Sequence, residues 1–151
     1  MIQKVKKIAL ALVALLTLSV GCTPKEKNVC HVDPLNWSKG ANIVYNNTNT
    51  EALYNIYFFV RCNADFDLKT MPVIIRVTSP DSSISIDRAF WAFDDEKAPT
   101  PTGTIQKIGY RSTCLLNMPG KYTFTIMPME PIRGVEAVGL TMEETTIYGK
   151  R

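Results

Sequence analysis

The chain has 151 residues, 17 Lys+Arg against 14 Asp+Glu, and 46% hydrophobic residues, enough for one domain with a core of its own. Its net charge of +3 equals the three lysines Lys4, Lys6 and Lys7, so without the N-terminal stretch the chain is formally neutral and has no electrostatic case for binding nucleic acid. Four cysteines with no CxxC spacing and a single histidine, His31, exclude a zinc site or a thioredoxin-like redox centre.

Residues 1–21 read as a lipoprotein signal peptide. The three lysines form a positive n-region, and Ile8–Val20 is an uncharged apolar run of thirteen residues. At about 1.5 Å per residue it spans ~20 Å, short of the ~30 Å hydrocarbon core of a bilayer, which fits a signal h-region rather than a permanent span. Leu18-Ser19-Val20-Gly21-Cys22 resembles the lipobox of bacterial lipoproteins. That resemblance implies cleavage between Gly21 and Cys22, a thioether from Cys22 to diacylglycerol, and acylation of the new amino terminus. No polybasic segment follows as a second membrane signal, so retention rests on the acyl chains, of which two or more anchor stably. Residues 22–33, polar and without periodicity, read as a lipidated tether.

Residues 34–142 read as one β-sandwich domain: Pro34–Gly40 contains Trp37 and ends in a turn signal, and from there the pattern is β-like almost throughout. The expected strands are Ala41–Asn46, Leu53–Cys62, Pro72–Thr78, Ser83–Phe93, Thr104–Leu116 (bent or divided at Gly109), Lys121–Met127 and Val135–Met142. Leu53–Cys62 is the strongest: Tyr54, Ile56, Phe58, Val60 and Cys62 share one face, and Asn55, Tyr57, Phe59 and Arg61 the other. Ser79-Pro80-Asp81-Ser82 is a turn with proline suited to its second position. In the following strand Ile84 and Ile86 have one parity and Ala89, Trp91 and Phe93 the other. A β-bulge near Asp87-Arg88 would bring both sets to the core. Asp94–Thr102 is a charged, proline-containing loop, and Pro128 and Pro131 close the strand before them because proline donates no N–H to a ladder. Residues 143–151 read as a tail. Seven or eight short strands separated by turns predict an all-β fold, an antiparallel β-sandwich of jelly-roll or immunoglobulin-like type.

The C-terminal block Pro119-Gly120-Lys121-Tyr122-Thr123-Phe124, Pro131-Ile132-Arg133-Gly134-Val135 and Val138-Gly139-Leu140 completes a series with the lipobox, Trp37 and the strand ending in Val60-Arg61. Together these resemble the gliding-motility lipoproteins of the GldH family of Bacteroidetes. The resemblance implies a small outer-membrane lipoprotein, working with proteins of the gliding apparatus and its companion secretion system, with no catalytic residues and no cofactor.

The candidate sites are few. Cys62 and Cys114 either bridge the two sheets or lie as two buried thiols, and Cys30 is free to link chains. Tyr57 and Phe59 are either a stacking platform for a glycan or partner, with Trp91 as a third ring, or the outer face of a central strand covered by the segment around Trp37. Trp91 also fits the core. Asn63, Asp65 and Asp67 alternate like calcium ligands but lack the glycine and the bidentate acid of such loops, so they read as a solvated loop, as do Asp94, Asp95 and Glu96. His31 lies in the tether, where no nucleophile system could be held in geometry, and no pair of carboxylates is placed across a cleft for glycosidase chemistry. The expected function is therefore that of a non-catalytic structural or adaptor lipoprotein, anchored by lipid at the periplasmic face of the outer membrane. A carbohydrate-binding sandwich is the alternative.

Overall fold

The computed structural model describes residues 28–94 and 103–145. The signal peptide, Gly21, Cys22 and the tip of the Asp94–Thr102 loop fall outside these residues. Eight strands form: β1 (Val29–His31), β2 (Ala41–Asn47), β3 (Leu53–Cys62), β4 (Thr70–Thr78), β5 (Ile84–Ala92), β6 (Thr104–Leu115), β7 (Gly120–Pro128) and β8 (Val135–Thr145). They make two four-stranded antiparallel sheets, ordered β1-β8-β3-β6 and β2-β7-β4-β5. The pairs are nested: β4 with β5, then β3 with β6, β2 with β7 and β1 with β8. This is a long hairpin rolled over on itself, the jelly roll rather than the immunoglobulin arrangement. Among the described residues only β4–β5 is a local hairpin.

Alternation produces the core. Ile56, Phe58 and Val60 of β3 meet Met71, Val73 and Ile75 of β4 and Phe124 and Ile126 of β7, all buried. Phe58 sits at the centre, with ring centroids 5.4 Å from Trp91, 5.2 Å from Tyr110 and 6.3 Å from Phe124. Trp37 closes one end. It bridges Ile132 through two backbone bonds of 2.8 and 2.9 Å, and its Nε1–H donates to the Lys39 carbonyl at 2.8 Å. Buried Trp37 is thus part of the core and does not cover Tyr57 and Phe59.

The structure corrects the sequence reading at several boundaries. The last residues of the expected tether form β1, whose Cys30 pairs with Val138 and packs against the core. β8 runs on to Thr145, so the first three residues of the expected tail belong to a strand. Of the two alternatives for Thr104–Leu116 the structure has the single strand, β6, which runs across Gly109, and β7 extends one residue beyond the expected end, to Pro128. The expected bulge in β5 is absent: the β4–β5 register is unbroken from Thr70↔Ala92 to Thr78↔Ile84. Irregularities lie instead in β3, against β6 around Ile56 and against β8 at Arg61/Cys62. There Thr113, with φ 54°, has no register partner and donates its N–H across the ladder to Asn55 Oδ1 at 3.0 Å, a side-chain acceptor for a backbone donor left over by the irregular pairing.

Candidate functional site

The outer face of the β1-β8-β3-β6 sheet carries Tyr57 and Phe59, as alternation requires. Both are half-buried, and each ring has a neighbour. Lys107 Nζ stands 4.0 Å from the Tyr57 ring centroid while its ammonium pairs with Glu143 at 2.6 Å. The Phe59 ring lies over Gly139, directly opposite on β8. Arg61 pairs with Glu136 at 3.1 Å farther along the strand. Trp91 does not join this face. It belongs to the other sheet, points inward and is 2% exposed, because the odd residues of β5 face the core.

Cys62 and Cys114 do not bridge the sheets, because both belong to the same one. Cys62 pairs with Thr104 and Cys114 with Tyr54, at opposite ends of the β3–β6 ladder. The intervening stretch of β3 spans roughly 25 Å at ~3.3 Å per residue, far beyond the reach of a disulfide. Cys30, Cys62 and Cys114 are free thiols. Burial, with a smaller push from the Glu136 carboxylate, drives the Cys62 thiol up to about 12, so it behaves as a small apolar core residue.

At the β5/β6 edge the two sheets are tied by a polar cluster. Tyr110 Oη donates to Asp87 Oδ2 at 2.5 Å, Arg111 Nη2 donates to the same oxygen at 2.6 Å, and Arg111 also lies over the Tyr110 ring. Hydrogen bonds from Tyr110 and then Arg111 hold the Asp87 carboxyl below the usual carboxylate range. The cluster sits on the sandwich edge rather than in a cleft and has the partners of a structural clasp. In the 63–69 connection, Asn63 Oδ1 accepts the Asp65 N–H at 2.9 Å and Arg133 pairs with Asp65 at 3.6 Å, a turn with its own partners. His31 is exposed on β1, opposite Ala137. Among the described residues, no group of three or more His, Cys, Asp or Glu comes together to hold a metal ion.

Sequence reasoning missed the outer face of the second sheet, β2-β7-β4-β5. With no bulge in β5, Ile84, Ile86 and Phe90 point to solvent, 56%, 63% and 74% exposed. Ile74 of β4 and exposed Met127 of β7 extend the apolar surface, and Arg76 and Arg88 stand among them. The signal was present in the sequence. Ile84, Ile86, Arg88 and Phe90 alternate without a break against Asp87, Ala89 and Trp91, a pattern that keeps its phase if apolar side chains are allowed to face outward.

The model of the GldH lipoprotein family matches residues 26–142, from the start of the described strands to the body of β8. The chain belongs to the GldH lipoprotein family. The match takes in both sheets, so the GldH jelly roll described above accounts for nearly all of the matched length. GldH membership makes this a lipoprotein of the bacterial envelope, in a family associated with gliding motility and not known for enzymatic activity. A comparison with curated proteins found no match.

Proposed function

We propose that this GldH-family chain is a non-catalytic outer-membrane lipoprotein, held by acyl chains on Cys22 at the periplasmic face, where it serves as a structural or adaptor subunit of an envelope assembly for gliding motility and its associated secretion. The family match over residues 26–142 carries the reading. The lipobox-like Leu18–Cys22 supports the anchor, and the Thr23–Lys27 segment, which has Glu26 as its one acid, lacks the acidic cluster that resembles a surface-export signal. The jelly roll suits a scaffold: its edge cluster of Asp87, Tyr110 and Arg111 is paired within the domain, and its two four-stranded sheets each leave one face turned outward.

The test combines membrane fractionation, mass spectrometry of the native N-terminus and affinity purification from cells of the source organism. The expected outcome is a lipid-modified Cys22 in the outer-membrane fraction, co-purifying with motility or secretion components, and release into the soluble fraction on Cys22→Ala substitution. An unmodified chain dissolved in the medium, or one recovered with polysaccharide alone, overturns the proposal.

A further inference from the structure

We infer that the outer face of the β2-β7-β4-β5 sheet is a docking surface for a protein partner, one that inserts a ridge of apolar side chains flanked by Asp or Glu. The inference rests on the adaptor reading above only for the neighbourhood in which the partner is sought.

Three observations carry it. First, the face is apolar where a sandwich face is ordinarily polar. Ile84, Ile86 and Phe90 on β5 join Ile74 and Met127, which are register partners across β4 and β7. Contiguous exposed apolar surface on strands is costly to solubility unless it is used. Second, the face is grooved. A shallow groove of about 500 Å³ runs between Ile74, Ile86 and Met127, with Arg76 and Arg88 along it and Asn42 and Thr125 at its far side.

The third observation is charge. None of the outward positions on these four strands is Asp or Glu. Arg76 lies opposite Ile86, and Arg88 opposite Ile74, so the two guanidiniums occupy diagonal positions, roughly 7–8 Å apart at the backbone. Both are exposed, and neither has a carboxylate within ion-pairing distance among the described residues. The opposite sheet treats its cations differently: Arg61 and Lys107 are paired with Glu136 and Glu143. Two adjacent cations set among isoleucines, without an anion, complement a carboxylate supplied from outside. Guanidinium is the cation best suited to bind a carboxylate in a fork and to be partly desolvated in doing so. An apolar centre with Arg, Met and aromatic residues and no acids is also the composition of protein interfaces. A second copy of this chain fits poorly, because a two-fold contact would bring four guanidiniums together with no acid between them. A bilayer fits poorly as well, since a concave groove takes up a ridge of side chains and a flat lipid surface offers none.

The test is site-specific photo-crosslinking of the full-length lipoprotein in its native cells. The photoreactive residue is placed at Ile86, with a control at Ile105, which is exposed on the outer face of the opposite sheet. The expected result is one protein adduct from position 86 that is absent from 105, with the crosslinked peptide containing apolar residues and Asp or Glu. Arg76→Glu with Arg88→Glu should lower its yield at least about tenfold, the effect of one lost charge pair. Lysine in place of the peptide's acid should restore it in that charge-reversed background. Thermal unfolding of the double variant is the fold control, and both positions are exposed. Adducts to phospholipid or to a second copy, equal yields from 86 and 105, no protein adduct at 86, or indifference to charge reversal would each overturn the inference. The two proposals separate cleanly: an acid-dependent adduct to a protein outside the motility and secretion machinery sinks the adaptor role and keeps the docking face. Motility components recovered through another face do the reverse.

Discussion

Phe59 and Gly139 face each other across the β3–β8 ladder, and the Phe59 ring occupies the space that a side chain at residue 139 would need. A glycine in mid-strand ordinarily weakens a sheet, and an aromatic laid over it restores the lost packing and shields the backbone. Gly139→Ala should therefore push the ring off the sheet and cost about 1–2 kcal/mol. Phe59→Ala should cost a similar ~1–2 kcal/mol, below the usual Phe→Ala loss because the ring is only half-buried. The double variant should cost clearly less than the sum, since the clash disappears with the ring. Chemical denaturation of the four proteins checks this, and strict additivity would refute it.

Asp87 gives the fold an acid-sensitive clasp. Its carboxyl is held low by hydrogen bonds from Tyr110 and Arg111, so the charged form is the one the native state prefers. The contribution is fully present above the ordinary carboxylate pKa of ~3.9 and is lost as the pH falls through the lower folded value. Asp87 and Arg111 are about 40% exposed, so after allowance for screening the clasp contributes only about 0.5–1 kcal/mol at neutral pH. Asp87→Asn should lose that amount at pH 7, and its deficit should shrink as the pH falls below the ordinary carboxylate pKa and through the lower folded one. Unfolding curves of the two proteins should draw together as the pH is lowered from 7 into the acid range; a constant gap would show that Asp87 acts through packing instead.

Much of this architecture was legible in the sequence because alternation is a local property. Leu53–Cys62 has the same ends in pattern and in structure, and the Ser79–Ser82 turn lies where proline and aspartate place it. What was not legible depends on partners distant in the chain. Val29–His31 has no strand pattern of its own and becomes β1 only because β8 offers an open edge. The phase of β5 was misread because apolar side chains were assumed to face inward, whereas Ile84, Ile86 and Phe90 belong to an outer face. Sheet membership decided the cysteines: parity placed Cys62 and Cys114 inward but could not show that β3 and β6 are neighbours. The same limit applies to the site. Alternation places Tyr57 and Phe59 on one face, but the Lys107 ammonium over Tyr57 and the fit of Phe59 to Gly139 come from strands about 50 and 80 residues away.

The three thiols among the described residues should differ in reactivity. Cys62 is 2% exposed and its pKa is raised to about 12 by burial first and Glu136 second, so it has almost no thiolate at pH 8 and no access for a reagent. Cys30 and Cys114 are half-buried. Alkylation of the native protein at pH 8 should modify Cys30 and Cys114 first, with Cys62 reacting only at the rate of global unfolding. Intact mass should be the same before and after reduction. Rapid native labelling of Cys62, or a mass change on reduction, would contradict this arrangement.

Asn47 fixes the β6–β7 turn from inside. It ends β2, is buried, and its Nδ2 donates to the Leu116 carbonyl at 2.9 Å and the Met118 carbonyl at 3.0 Å. Removing the donor leaves buried carbonyls without partners, so Asn47→Ala should cost about 2–3 kcal/mol. Asn47→Asp should cost more at neutral pH, because an ionised carboxylate would face two carbonyl oxygens and donate to neither. That carboxyl would be driven toward its protonated form, and once protonated it can donate one of the two lost bonds. Burial against carbonyls raises the folded pKa, so the penalty of the Asp variant relative to Ala should shrink as the pH falls. Denaturation midpoints of both variants at pH 7 and pH 4 provide the measurement. An Asp variant as stable as wild type at pH 7 would mean that the turn is held by its backbone and not by this side chain.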